Sequence, residues 1–206
     1  MKIALYAYGS IVNNPFSDNY DNGIELASCF EKTHVQVPLS FSRFSSKDTN
    51  KERLTLVPDE NGIETPLFCA TVQSTNLNKA LVQLRAREGI KDSNVNKDKY
   101  VSYIKKGSPK PGSTAKTIMI AGGVWSYRIN HISEEKVKEM VLHLKSQGYQ
   151  AGIITTFDSN TANNTERKAR IATRPLTKTN SQNYYNDLPK AVKKVHKTSL
   201  KNLGVL

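Results

Sequence analysis

"PLFCATVQSTNLNKALVQLRAREGI", residues 66–90, decides the fold class. Its first part, "PLFCATVQ", is apolar and β-prone and reads as a strand. "NLNKALVQLRARE" then places apolar residues at helical spacing, with Ser74 or Thr75 as N-cap and Gly89 as the stop, so the helix finishes at Glu88. A strand that feeds a helix, with further strands before and after, is a mixed α and β arrangement. The helix carries one anomaly. Leu77, Leu81 and Leu84 share a stripe, and Glu88 continues it where another leucine belongs. Either the carboxylate sits on a buried face, where desolvation favours its neutral form and suits it to general base work near pH 7, or the helix end is exposed and Glu88 meets water, Arg85 or Arg87.

Upstream, "KIALYAY" is apolar almost throughout and ends at Gly9-Ser10, the pattern of a central strand entering a loop. The loop "NNPFSDNYDNG" follows. "HVQVPLSFSRFS" alternates in part, and "RLTLV" repeats the pattern beyond a charged turn, which predicts a hairpin. Downstream, "YVSYI" and "TIMIAGGVWSY" read as strands separated by a Gly/Pro-rich loop without the Gly-Lys-Ser/Thr ending of a phosphate cradle. "SEEKVKEMVLHLKSQG" has a Ser133 cap, acidic residues in its first turn and Gly148 at its end, with Val137, Met140, Val141 and Leu144 facing inward. "AGIITTF" is a strand, and "DSNTANNTERKAR" reads as a loop. From Pro175 the chain is polar until "LPKAVKKVHKTSLKNL", where Leu188, Val192, Val195 and Leu203 form a thin apolar stripe. The prediction is an α+β fold whose short successive strands make a small closed or nearly closed mixed β-barrel with flanking helices. The domain spans 1–175, with a basic C-terminal extension and terminal helix over 176–206.

A chain of 206 residues is long enough to bury a core without covalent staples. No apolar run is long enough to span a bilayer, and the start lacks a signal-peptide cleavage pattern, so a cytoplasmic protein is expected. Cys29 and Cys69 lie in segments that look like core and read as free buried thiols. The sequence sets no oligomeric state.

The net charge of +12 is unevenly placed: residues 1–100 balance, and the whole excess lies beyond them. From Arg167 to Lys201 there are ten Lys and Arg against a single acid, Asp187, with Tyr184 and Tyr185 available for stacking. Such a run suits an anionic partner, nucleic acid or protein, or else a solvated helix face. His34, His131, His143 and His196 have no spacing that suggests a shared metal, and His143 falls off the apolar stripe of its helix, toward solvent. No nucleophile elbow occurs.

Tyr8-Gly9-Ser10 after the first strand is a turn in which glycine lets backbone approach a ligand and successive N–H groups can face an anion. Together, "LYAYGS", "VPLSFSRFSSK…RLTLVP" and "ATVQSTNLNKALVQLRAREGI" resemble, over residues 1–105, the gamma-glutamyl cyclotransferase family, with the motifs in the family's order and separation. The resemblance implies a barrel enclosing a γ-glutamyl group and intramolecular ring closure to 5-oxoproline without metal or cofactor. It gives Glu88 the acid/base role and makes Tyr8, Gly9, Ser10 and Ile11 the substrate loop. Tyr100 or Tyr103 would be a pocket tyrosine beyond "KDSNVNKDK". Ile11 and Val12 depart from the Asn-Leu or Leu usual after Tyr-Gly-Ser. Arg85 and Arg87 flank Glu88 where acidic or neutral residues are common, and helical spacing directs both into solvent.

Overall fold

Strand β1, Ile3–Ala7, is wholly buried because the sheet is covered on both faces. Its residues alternate between two apolar groups: Ala4 and Tyr6 join the larger core, and Ile3, Leu5 and Ala7 pack in a second one beneath the first helix. In the computed structural model, residues 1–14, 23–45, 50–90, 100–120, 123–161 and 163–206 are described. Around β1 lie β2 (Glu31–Ser45), β3 (Arg53–Pro58), β4 (Ile63–Val72), α1 (Leu77–Arg87), β5 (Val101–Lys106), β6 (Lys116–Ile120) and β7 (Gly123–Arg128). Then come α2 (Glu134–Ser146), β8 (Ala151–Thr155), α3 (Asn164–Thr173), α4 (Pro175–Asn186) and α5 (Lys190–Asn202).

The eight strands form one mixed sheet in the order β3-β2-β4-β1-β8-β5-β7-β6. Only β1 and β8 pair in parallel. The α+β class is as expected, but the strand order is linear, and no ladder among the described residues joins β3 to β6, so the closed barrel is not what this sheet forms. It is strongly curled instead: α2 packs against both β2 and β6, near opposite ends of the order. β2 and β3 form the predicted antiparallel hairpin, and Val35, Val37, Leu39 and Phe41 of β2 are buried. A bulge between Phe41 and Arg43 then breaks the alternation and leaves both Phe41 and Ser42 inside.

Local stops match the glycines. Gly89 (φ 69°) follows α1 with its N–H bonded to Ala86 O and that of Ile90 to Arg85 O, a Schellman ending. The α1 cap is Asn76, whose Oδ1 accepts from the N–H groups of Asn78 and Lys79, not Ser74 or Thr75. Helix α2 is as predicted, capped by Ser133 and with Val137, Met140, Val141 and Leu144 buried. His143 is a correction: it is buried, and its Nδ1 lies 2.8 Å from the Tyr6 hydroxyl. Cys69 is buried, but Cys29 is exposed; both are free thiols. "TIMIAGGVWSY" is two antiparallel strands, β6 and β7, paired from Lys116 opposite Tyr127 to Ile120 opposite Gly123.

The largest departures lie near the C-terminus. "DSNTANNTERKAR" holds most of α3, whose cap is Asn163 Oδ1 on the Glu166 N–H. The polar stretch after Pro175 is α4. Its buried face is Thr177, Ser181 and Tyr184, and it runs along the edge of the sheet: Ser181 Oγ accepts from the Leu54 N–H of β3 at 2.8 Å. The Leu56 N–H reaches the Tyr184 hydroxyl. An otherwise open edge strand is thereby capped by side chains. Leu188, Val192, Leu200, Leu203 and Val205 complete the larger core from α5 and its flanks. His196 and Leu200 take buried positions on α5, whereas Val195 is only half-buried. No helix among the described residues is long and apolar enough to cross a membrane.

Candidate active site around Glu88

Glu88 is the C-cap of α1, so it stands where the helical phase ends. Leu81 and Leu84 of its stripe are buried and Leu77 half-buried, while the Glu88 side chain keeps 15% of its exposure. The arrangement combines both sequence readings. The carboxylate is mostly enclosed, yet Arg87 Nη1 donates to its Oε1 at 2.9 Å. This corrects the expectation that both arginines point to solvent: interior helical spacing does not govern a cap residue, and the Arg87 side chain is itself 13% exposed. Arg87 Nη2 also donates to the Asn14 carbonyl at 3.1 Å. One guanidinium therefore ties the end of α1 to the segment that follows Tyr8-Gly9-Ser10. Among the described residues nothing hydrogen-bonds Oε2 of Glu88.

β1 delivers Tyr8 to the same place. Its buried hydroxyl donates to the Thr155 carbonyl at 2.9 Å. Burial, then the neighbouring Tyr184 and Glu88, push that phenol well above its ordinary range, with Arg43 opposing. Gly9 begins a short 3₁₀ turn, Ser10–Val12, closed by Val12 N–H on Gly9 O and Asn13 N–H on Ser10 O. A Cβ on Gly9 would lie 3.0 Å from the Tyr184 hydroxyl oxygen, tight enough that a side chain here would push the two apart by a few tenths of an ångström. Ile11 packs in the second core group beside Leu84 and Ile90.

Tyr100 precedes β5, its ring 5.2 Å from that of Phe157. Arg43, positioned by the β2 bulge, lies 4.6 Å from the Phe157 centroid and 5.8 Å from that of Tyr100, and donates to the Asp158 carbonyl. Burial lowers Arg43 from its usual range, and Tyr100, Asp158 and Tyr8 act against that. Tyr103 borders the second core group from β5, as Tyr100 and Phe157 also do. The structure thus brings Tyr8, Gly9 and Glu88 together, sets Tyr100 near them through Arg43, and leaves Tyr103 as packing. The loops "NNPFSDNYDNG" and "KDSNVNKDK" fall largely or wholly on residues 15–22 and 91–99, outside the described residues.

Sequence reasoning missed Arg43 and Tyr184. Tyr184 was counted as an aromatic for stacking, but it is buried, and its phenol is pushed up to about 12, chiefly by burial. The available signal was Thr177, Ser181 and Tyr184 at helical spacing, a stripe of hydroxyls rather than hydrophobes. The basic run is also partly committed inside the protein. Arg170 and Arg174 bind the buried Glu52 carboxylate, and Arg167 bonds Thr161 and Asn164. No group of His, Cys, Asp and Glu among the described residues could hold a metal ion. Comparisons of the chain with models of known families, with curated proteins and with solved structures find no match.

Proposed function

We propose that this protein is a gamma-glutamyl cyclotransferase-type enzyme, and that its curled sheet is an opened variant of the nearly closed barrel which that reading implies. The observation that carries the proposal is that Tyr8 and Glu88, some eighty residues apart in sequence, lie close enough to act on each other, with Arg87 tying Glu88 to Asn14 just beyond the Tyr8-Gly9-Ser10 turn. The substrate is a γ-glutamyl amide. Oε2 of Glu88, the oxygen without a partner among the described residues, takes a proton from the substrate's α-amino group as that nitrogen attacks the γ-carbonyl carbon. The five-membered ring closes, and the C–N bond to the departing amine breaks. Glu88 returns the proton to that amine, releasing 5-oxoproline. Arg87 fixes the carboxylate through Oε1, and backbone groups of the turn face the carbonyl oxygen that gains charge. Because nucleophile and electrophile belong to one molecule, holding the chain bent supplies much of the rate.

The test is release of 5-oxoproline from glutathione, γ-glutamyl amino acids and γ-glutamylamines by the wild type and by Glu88→Gln. Turnover of one of them, lost in the variant, supports the reading. Turnover that survives in Glu88→Gln removes it.

A second reading is a non-catalytic binding protein that meets an anionic partner through α5. Lys190, Lys194, Lys197 and Lys201 recur at i, i+4, i+7 and i+11, all exposed, and so share one face. A nucleic-acid affinity that weakens steeply with salt and disappears when these lysines become glutamines is its signature.

A further inference from the structure

A polar cleft of about 650 Å³ lies away from the Glu88 site, between the β3–β4 turn, the start of α3 and the His196 and Ser199 positions of α5. Neither Tyr8, Gly9, Ser10 nor Glu88 lines it. The turn is pressed onto β2: a Cβ on Gly62 would meet the Leu39 backbone at 2.5 Å, so only glycine permits this wall. Two charges of opposite sign line the space. Asp59 is held by the Ser40 hydroxyl at 2.5 Å on Oδ2 and by the Asn61 N–H at 3.0 Å on Oδ1. Arg167 is held by Thr161 Oγ1 at 2.8 Å through Nε and by Asn164 Oδ1 at 2.9 Å through Nη1. The two charges feel each other, yet no ion pair joins them. Each keeps hydrogen-bonding capacity beyond these contacts: a carboxylate has about four acceptor sites and a guanidinium five N–H groups.

The third feature is His196, fully buried in the wall. Thr65 Oγ1 lies 2.6 Å from the Ile63 carbonyl, to which its only hydrogen goes, and 2.8 Å from His196 Nε2. Thr65 therefore accepts from His196, which places the ring proton on Nε2 and leaves Nδ1 as an acceptor. That Nδ1 is buried and has no partner among the described residues. Burial holds the ring neutral, down to about 4. A buried acceptor left unpaired is costly in a finished interior and natural in a wall that a donor completes.

We propose that this cleft binds a small zwitterion, its carboxylate on Arg167 and its ammonium on Asp59, with a donor of the ligand directed toward His196. The polar lining and the unjoined pair of opposite charges select a ligand that carries both charges on one short chain. This site is independent of the chemistry at Glu88.

The experiment is a titration of amide nitrogen–proton NMR spectra of the ¹⁵N-labelled protein with glycine, β-alanine, 4-aminobutyrate and 6-aminohexanoate, four zwitterions of increasing charge separation. Saturable shifts at Asp59, Asn61 and Asn164 are expected for at least one member. Its counterparts lacking the amine or the carboxylate should bind about tenfold more weakly or worse. Arg167→Gln should abolish the response, Arg167→Lys should keep part of it, and Glu88→Gln should leave it unchanged. No saturable shift from any of the four on folded wild type overturns the proposal. So does an equal response in folded Arg167→Gln, or equal binding of a singly charged counterpart.

Discussion

Glu52 and Glu88 are both enclosed carboxylates bound by arginine, and they differ in how completely they are satisfied. Glu52, 2% exposed, accepts from Arg170 and Arg174 on both oxygens and from the Thr177 hydroxyl on Oε1. Burial alone would raise it, but these bonds prevail and hold it below its ordinary range. Glu88 accepts from Arg87 on one oxygen and leaves the other unpaired among the described residues. A saturated carboxylate fixes the docking of α3 and α4 against the β3 edge. One with an oxygen unpaired among the described residues suits the proton exchange proposed for it. Number of partners, more than burial, separates the two.

Removing Glu52 should therefore produce the largest stability loss. Glu52→Ala strands two arginines and is expected to cost about 3–5 kcal/mol, lowering the melting temperature by roughly 10 °C. Denaturant titration checks this, and a loss below about 1 kcal/mol would erase the contrast. Glu88→Gln should behave the opposite way. Its stability should stay within about 1 kcal/mol of wild type, while 5-oxoproline release falls about 10²–10⁴-fold with loss of the acid/base group.

Acid should separate the regions further. His196 titrates near 4 when folded, against about 6.5 unfolded. Its folded value is depressed, so the unfolded chain binds the proton first, and stability present above about pH 6.5 is lost as pH falls toward 4. The loss approaches about 3 kcal/mol. His143, lowered by burial and then by His34, adds in the same direction. Glu52, also depressed, contributes only as pH drops below the ordinary carboxylate value of 4.5. Denaturant midpoints at pH 7.5, 5.5 and 4.5 should fall in that order. His196→Gln should flatten the first part of the decline; an unchanged slope would mean that His196 is not the neutral ring derived above.

The sequence carried the sheet's centre and the two motif-bearing ends, because there the burial pattern is made of hydrophobes: "KIALYAY" became β1, and the α1 stripe ended at Gly89. It did not carry α3, which buries a single hydrophobe, Ile171, among polar residues, or α4, whose inward face is polar. Ser181 and Tyr184 meet the Leu54 and Leu56 N–H groups of β3 while Thr177 donates to Glu52, and apolar periodicity is blind to such a helix. Glu88 was legible as an anomaly. Its arginine partner was legible only as an alternative, since a cap residue leaves the helical phase that spacing assumes. His143 stays within the helical phase of α2, but the Tyr6 hydroxyl gives its polar ring a place inside that apolar spacing does not show.

The smallest expected effect tests the contact between the two halves of the candidate site. Gly9→Ala brings a methyl within 3.0 Å of the Tyr184 hydroxyl. The ring is buried and its hydroxyl holds the Leu56 N–H, so displacement strains both the turn and the β3 edge, at about 1–2 kcal/mol. Tyr184→Phe removes the oxygen that the methyl meets, but it leaves the Leu56 N–H unpaired, a cost of about 1 kcal/mol. If the clash is the cause, the double variant should be more stable than the sum of the single losses implies, with a coupling of about 1 kcal/mol in a double-mutant cycle. Activity should follow the same pattern, because the turn that carries Gly9 is also the one proposed to face the substrate. Additive losses would place Gly9 and Tyr184 in separate roles, and the link from the C-terminal helices to the Glu88 site would then be packing alone.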